Sequence, residues 1–263
     1  MQRNRRRLVR AQELLETLRV SVFTPDDLAL VKGGPQGRRD YLDDALVAAR
    51  PHQLGVRQSV ERILRQRSTL LRQAGGVASP DVLATLDVWD EKLGETGGAL
   101  VQAREAFLAE LEPLASAAFR SLTRGDDGLR LVYERSYTGD LGEALRRSRR
   151  EDMRRGMTTV GPQRDEILIT AGGLDARTRL SQGRQRCATL ALRLAAHDAV
   201  TVAAGSRPVL LLDDAFSELD EATTRSLLAE LPSGQAVLTT AGSIPPGAHP
   251  AEVIRLVAGA VVQ

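Results

Sequence analysis

Between Gln58 and Gln73 the apolar residues Val60, Ile63, Leu64, Leu70 and Leu71 recur mainly at three- and four-residue steps. That period puts them on one face and predicts an amphipathic helix. The tract GGVASP, Gly75 to Pro80, interrupts it with residues that favour turns. The same period resumes in Val82, Leu83, Leu86, Trp89 and Leu93, which predicts a second helix. A third helical pattern starts near Gly98 and reaches Pro113, where a kink or an end is expected. Residues from about Asp40 to Leu122 therefore predict a helical hairpin or small bundle. From about Gly128 the pattern changes. LRLVYE (Leu129 to Glu134) and EILITA (Glu166 to Ala171) read as strands, with a polar helix at Leu141 to Arg155 between them. A long helix is expected over about Gly183 to Ala203. The run PVLLLDD then suits a buried parallel strand. A helix follows over about Glu221 to Leu231, with Asp220 as its N-cap. QAVLTT (Gln235 to Thr240) and VIRLV (Val253 to Val257) are further strands. Alternating strands and helices predict an α/β sheet.

Composition narrows the function classes. The chain has 263 residues, 42% hydrophobic and 27% charged, as in an ordinary globular protein. Aromatic residues are only 3%, which argues against base-stacking platforms for single-stranded nucleic acid. The net charge is +2, and all lysine and arginine positions except Lys32 and Lys92 are arginine. Genomic base composition accounts for that bias, although arginine also suits bidentate phosphate contacts. Cys187 stands alone, so no intrachain disulfide is possible and a reducing compartment is expected. No apolar run was expected to approach the ~20 residues that span a bilayer. The basic start MQRNRRRLVRAQELL lacks the apolar core of a secretory signal. These features predict a cytoplasmic protein.

Four motifs carry candidate chemistry. In VLLLDD an apolar strand ends in Asp213 and Asp214. Ligands of open α/β sheets bind at the carboxyl ends of strands. A carboxylate there can hold Mg²⁺, and its neighbour can orient or deprotonate a water. Taken alone, the run is also a plain strand followed by a capping Asp. LSQGRQR (Leu180 to Arg186) opens a helix with Ser181, Gln182 and Gly183. Free N–H groups at such a helix start favour an anion, and Gly183 permits close backbone approach. Alone, it is also an ordinary Ser cap. SELD (Ser217 to Asp220) follows the aspartates directly, and Thr239 and Thr240 close the next strand. The four in this order are far more specific than any one of them.

At these residues the chain resembles ATP-binding-cassette heads: LSQGR looks like the signature motif, VLLLDD like Walker B and SELD like the D-loop. Within that superfamily it is most similar to the RecF family, relatives of the SMC heads. The resemblance covers nearly the whole chain, through Val20 to Leu46, Thr158 to Ile167, LSQGRQR and LLLDDAFSELDEATTRSLL. The first stretch, with FTPDDLALVKGG, lies outside the shared ATPase machinery and is the most family-specific. Ser181 precedes Asp213 by 32 positions, whereas transporter-type heads keep these motifs closer. The short helical insert excludes SMC-like coiled-coil arms. The implied fold is α/β, the C-terminal part of an ABC-type head with a mostly parallel sheet and helices, plus an α-helical lobe. The implied division is 1–20 (end of an N-terminal ATPase lobe), 21–122 (helical lobe) and 123–263 (ATPase lobe).

The resemblance also implies roles. Asp213 would bind Mg²⁺, and Asp214 would be the catalytic base. Ser181, Gln182 and Gly183 would reach the γ-phosphate of ATP held by a partner subunit. Ser217 and Asp220 would couple the two sites across the dimer. Thr240, or Thr239, would take the switch position. Arg184 and Gln163 depart from the family pattern, which has Gln and often His there. The implied function is a DNA repair and recombination-mediator ATPase that dimerises with ATP on double-stranded or gapped DNA. RecO and RecR would be its partners in loading recombinase, with no membrane involved.

Phosphate cradling in such heads needs G-x-x-x-x-G-K-[ST], the Walker A loop. Lys32 precedes Gly33 and Lys92 precedes Leu93, so neither lysine fits. The family places that loop, and a Q-loop, well before the FTPDDLALVKG stretch. The expectation is a fragment, a mis-started gene product or a truncated paralogue, with apolar strand surface uncovered and no ATP hydrolysis unaided. One alternative is a non-enzymatic module that docks on an intact head or on RecR. Another is a fragment of an SMC- or OLD-like ATPase.

Two arginine clusters remain: Arg3, Arg5, Arg6, Arg7 and Arg10, then Arg146, Arg147, Arg149, Arg150, Arg154 and Arg155. Solvated helix faces explain both, because acidic residues interleave the second. The resemblance makes Arg146, Arg147, Arg149 and Arg150 candidates for phosphate contacts to DNA. Cys187 is expected as a small core residue, and the scattered His52, His197 and His249 suggest no metal site.

Overall fold

The computed structural model describes residues 2–3, 6–7, 19–217 and 219–262. Its main elements are β1 (Val20–Phe23), α1 (Pro35–Ala49), α2 (Gln53–Ala74), α3 (Pro80–Thr123), β2 (Leu129–Glu134), α4 (Leu141–Arg155), β3 (Glu166–Ala171) and β4 (Leu174–Asp175). After these come α5 (Gln182–Ala204), β5 (Val209–Asp213), α6 (Glu221–Glu230), β6 (Ala236–Thr239), β7 (Arg255–Val257) and β8 (Ala260–Val262).

The strands sort into separate sheets. β1, β5 and β6 form a parallel sheet with β5 in the centre. β2, β3 and β4 form an antiparallel meander, with Leu131 opposite Ile169. LRLVYE and EILITA therefore pair with each other rather than joining the Walker B-like strand. VIRLV contributes only Arg255–Val257, which pairs with β8 as an exposed hairpin.

The helix ends follow local chemistry. Ser79 caps α3 by accepting the Val82 amide at 3.3 Å, with Pro80 in its first turn. Asp140 caps α4 through the Glu143 amide, and Asp220 caps α6 through that of Thr223. Gly205 closes α5 at φ +63°, a left-handed conformation that costs a residue without a Cβ little. The helices expected at Asp81 and Gly98 are one 44-residue helix, α3, which runs through Pro113. The proline removes one helical hydrogen bond. Burial of Leu108, Leu111, Ala115, Ala118 and Phe119 on either side of it holds the helix together.

The expected division of the chain changes in two places. Residues 21–23, expected in the helical lobe, join Val20 in the parallel sheet, paired with Val209 to Leu212. The boundary at 122/123 also separates nothing. One core joins Phe23, Leu42 and Leu46 with Phe107, Leu111 and Phe119 of α3 and Leu192, Leu210 and Leu212 beyond it. Only the far half of the α2–α3 hairpin has cores of its own, made with α4. Val60, Ile63, Leu93, Leu100, Leu141 and Leu145 form one; Leu71, Leu86 and Met153 form the other.

Helix α5 is long and apolar enough to cross a membrane by length and composition, contrary to the expectation that no run comes close. In the fold 61% of its apolar window is buried, as the helix packs against α1 and α3 and under the parallel sheet. The opposite face of that sheet is partly exposed. Val20, Val22 and Val237 are 43%, 42% and 45% exposed, while Phe23, Leu210 and Leu212 on the covered face are buried. Parallel sheets are normally covered on both faces.

Candidate phosphoryl-transfer site

β5 delivers Asp213 and Asp214 to the carboxyl end of the parallel sheet. Asp213 is paired in register with Thr239 on β6. The Thr239 hydroxyl donates to Asp213 Oδ1. The Asp214 amide donates to the Thr239 carbonyl at 3.1 Å and meets the Thr239 hydroxyl oxygen at 3.2 Å. Asp214 has φ +46°, one of three non-glycine residues with positive φ among those described. For a residue with a Cβ this conformation costs roughly 1–2 kcal/mol. Such strain recurs at functional sites, where surrounding contacts hold it in place.

The turn after the strand folds back at once. Ser217 donates its hydroxyl to the Asp214 carbonyl at 3.1 Å, and the Ser217 amide reaches the same oxygen at 3.4 Å. Asp220, fully exposed, has its carboxyl held below the usual range by the amide and hydroxyl of Thr223. It acts first as the α6 cap. Of the two threonines only Thr239 meets the aspartates; the Thr240 hydroxyl accepts the Gly242 amide at 3.1 Å.

A cleft opens beside Asp214. The turn Phe23 to Leu28 lines it on one side, Asp214, Ala215, Ser217 and Leu219 on another, and Arg186, Thr189 and Leu190 of α5 on a third. The FTPDD stretch thus fills the angle between the α5 helix and the turn after Asp214. Asp27 accepts the Thr24 amide at 2.8 Å and pairs with Arg193 of α5. The Arg193 guanidinium also lies over the Tyr41 ring, 5.5 Å from its centroid.

Ser181 begins α5 and accepts the Arg184 amide at 3.4 Å. Ser181, Gln182 and Gly183 are exposed, and a Cβ at Gly183 would meet no atom within 4 Å. Packing within this chain therefore does not require glycine there. These residues do not line the cleft at Asp214, whose α5 wall begins at Arg186, three to five residues further along. Arg184 points its guanidinium over Phe119 and pairs with Asp127 at 3.1 Å. Gln163 donates to the Val160 carbonyl at 2.8 Å, and its buried Oε1 has no partner. Cys187 is buried in the core, and burial pushes its thiol up.

The chemistry of this donor set fits a hard cation. Asp213 has one carboxylate oxygen engaged by Thr239, and the other takes no partner among the described residues. Mg²⁺ binds through one or two protein carboxylates, with water and phosphate oxygens completing its shell.

The arginines of α4 differ among themselves. Arg149 is bound to Asp90 at 2.6 Å and Asp87 at 2.5 Å, and belongs to the fold. Arg147 meets Glu143 at 3.5 Å and the Thr138 carbonyl at 3.1 Å while staying exposed. Arg146 and Arg150 are exposed, with no partner among the described residues. Arg154 and Arg155 both bind Glu151, whose carboxyl they hold at about 2. Arg5 and Arg10 lie outside the described residues, and only the backbone of Arg3, Arg6 and Arg7 is described.

Reading the sequence missed the buried ionic joints around Thr158 to Glu166. Arg67, fully buried, donates to Asp90 at 2.8 Å, Asp152 at 2.7 Å and Thr158 at 2.9 Å. Arg104 grips Asp43 with two bonds of 2.7 Å and the Pro162 carbonyl with a third. Arg38 clamps Glu166 at 2.9 and 3.0 Å. One signal was available: Arg67 and Asp90 occupy apolar-stripe positions, between Ile63 and Leu71 and between Leu86 and Leu93.

No protein-family model matches the chain. It is 42% identical over 254 residues to the DNA replication and repair protein RecF of Streptomyces avermitilis, covering 90% of this chain and 67% of that protein. It is 36% identical over 268 residues to the protein of the same name from Beutenbergia cavernae, covering 88% and 68%. Among solved structures it is similar to one described as the recombination mediator protein RecF-ATPrS in the RecFOR pathway. That match has a TM-score of 0.80 at 28% identity and covers 91% of this chain and 67% of the other. The chain spans about two thirds of the length of these relatives.

Proposed function

Because this chain belongs to the RecF family, at 36–42% identity over about nine-tenths of its length, we propose that it carries the signature, Walker B and D-loop part of a DNA-repair ATPase. In this reading Asp213 holds Mg²⁺ and Asp214 orients or deprotonates the attacking water. Ser217 and Asp220 shape the D-loop, and Thr240 takes the switch position. Ser181, Gln182 and Gly183 serve ATP bound by a partner head. Mg²⁺, when bound with nucleotide, would supply charge neutralisation at the transferring phosphate. One observation carries the reading: two adjacent carboxylates end the central parallel strand, the second in a left-handed turn fixed by the neighbouring strand. The exposed signature residues, with a glycine that internal packing does not require, support a contact from outside the chain.

The biological role we infer is recombination mediation on duplex or gapped DNA with RecO and RecR, in the cytoplasm, through ATP-driven pairing of heads. Arg146, Arg147 and Arg150 are the arginines we assign to DNA phosphates. Arg149 supports them from within the fold.

The partly exposed apolar face at Val20, Val22 and Val237 favours a second reading, a non-enzymatic module that docks on an intact head or on RecR. The 263 residues contain no G-x-x-x-x-G-K-[ST], so the chain alone is expected to show no ATPase above background. Mixed with an intact RecF-family head, it is expected to change that head's ATPase, and Ser181→Arg is expected to abolish the change. Micromolar MgATP affinity of the isolated chain in calorimetry would overturn the expectation that it does not bind or hydrolyse ATP unaided. Absence of any effect on the intact head, with binding between the two retained, would favour the docking module.

A further inference from the structure

The resemblance to ATPase heads leaves the switch position between Thr240 and Thr239, and the geometry brings only Thr239 to the aspartates. Thr239 ends β6 directly beside the end of β5. Its hydroxyl has one proton, and Asp213 Oδ1 receives it. The lone pairs remain for the Asp214 amide, 3.2 Å away, which also meets the Thr239 carbonyl at 3.1 Å. The carbonyl contact continues the sheet ladder and would exist with any residue at 239. The hydroxyl contacts would not. A single side chain therefore sets the direction of the first carboxylate and helps hold the strained backbone of the second, at φ +46°.

We propose that Thr239 is the positioning residue of the Asp213–Asp214 pair. It acts by orienting the metal-holding carboxylate and by keeping Asp214 in its left-handed turn. A donor that engages one oxygen of a metal-holding carboxylate fixes its rotamer, and loss of such a partner typically costs about 10- to 100-fold in metal affinity. The same hydroxyl ties the metal half of the site to the water half, so both move if β6 slides against β5. The metal part of this proposal rests on the reading of Asp213 given above; the conformational part does not.

The test is NMR on the full chain as wild type, Thr239→Val and Thr239→Ser. Valine keeps the shape and loses the hydroxyl; serine keeps the hydroxyl. The Asp214 Cα and Cβ shifts and its amide–Hα coupling report the left-handed conformation. Millimolar Mn²⁺ alone, by its broadening of the Asp213 and Asp214 resonances, reports metal affinity. The valine variant is expected to lose the left-handed signature and to need about 10-fold more Mn²⁺. The serine variant is expected to match wild type in both. Leu86 and Leu145, in the distant helical cores, serve as folding controls and are expected not to shift. A valine variant that keeps both the Asp214 signature and the wild-type Mn²⁺ response overturns the proposal. If Mn²⁺ leaves even the wild type unbroadened while valine still releases Asp214, the metal reading of Asp213 fails and the positioning role stands.

Discussion

Replacing Arg67 with methionine is expected to unlatch the helical hairpin from α4. Arg67, Asp90 and Asp152 are all fully buried, and Arg149 reaches the cluster from its edge. Two arginines and two aspartates leave it neutral. Methionine fills much of the volume but leaves one uncompensated negative charge. Breaking a buried pair in this way costs about 3–5 kcal/mol. The structure puts this case near the lower limit. Asp90 keeps Arg149 at 2.6 Å, and Asp152 keeps the Thr159 amide and hydroxyl at 2.8 and 2.6 Å. Arg67 Nη2 has no partner among the described residues, so the lost arginine was not fully satisfied there. The expected loss is about 3 kcal/mol, which for a chain of this size lowers Tm by roughly 6–12 °C. Trp89, the only tryptophan, packs against the neighbouring apolar cluster and reports the hairpin in urea titrations. The double variant R67M/D152N restores neutrality with Arg149 and Asp90 alone, so it is expected to recover more than about 1 kcal/mol. A loss below about 1 kcal/mol for R67M, or no recovery in the double variant, would refute the argument that uncompensated charge is what hurts.

DNA binding is expected to be nearly independent of sequence and to weaken steeply with salt, with R146Q/R150Q lowering the log–log slope by about 1 per lost phosphate contact. Fluorescence anisotropy from low to high salt checks this, and a flat profile would contradict an electrostatic mode. R149Q is expected to lower stability as well, because that side chain binds Asp90 and Asp87. His197 is 2% exposed, meets the Ser21 hydroxyl at 3.0 Å and has an unpartnered Nε2. Burial, then Arg207, holds its pKa below the ordinary value. The unfolded chain takes up this proton near pH 6.5 and the folded chain resists it, so the stabilisation is complete above about pH 6.5 and is lost as pH falls below it. Urea titrations across that range are expected to show the loss in wild type and a flatter profile in His197→Gln; equal profiles would show that His197 does not set the pH dependence.

Much of the site was legible because its chemistry is local. Asp213, Asp214 and Asp220 follow an apolar strand in the order that puts them at its carboxyl end and at the next helix cap. Ser181 likewise announces itself by preceding a long apolar helix. The helical hairpin was legible from its period, except that Pro113 was given too much weight; tertiary burial on both sides outweighs one lost hydrogen bond. The pairing of LRLVYE with EILITA was not legible, since a strand's alternation does not name its partner. Nor was the split among the α4 arginines. Arg146 and Arg149 look alike in sequence, and only the approach of α3 brings Asp87 and Asp90 to the second.

The sequence by itself determined the elements, their caps and the family, because those depend on side chains a few residues apart and on ordered motifs. Tertiary structure alone decided which charges are buried, that residues 20–23 lie beside the Walker B-like strand, and that Thr239 rather than Thr240 meets both aspartates. Those outcomes depend on register and packing between segments far apart in the chain. A one-residue change of register reverses which side chain faces the site, and no local pattern fixes that register.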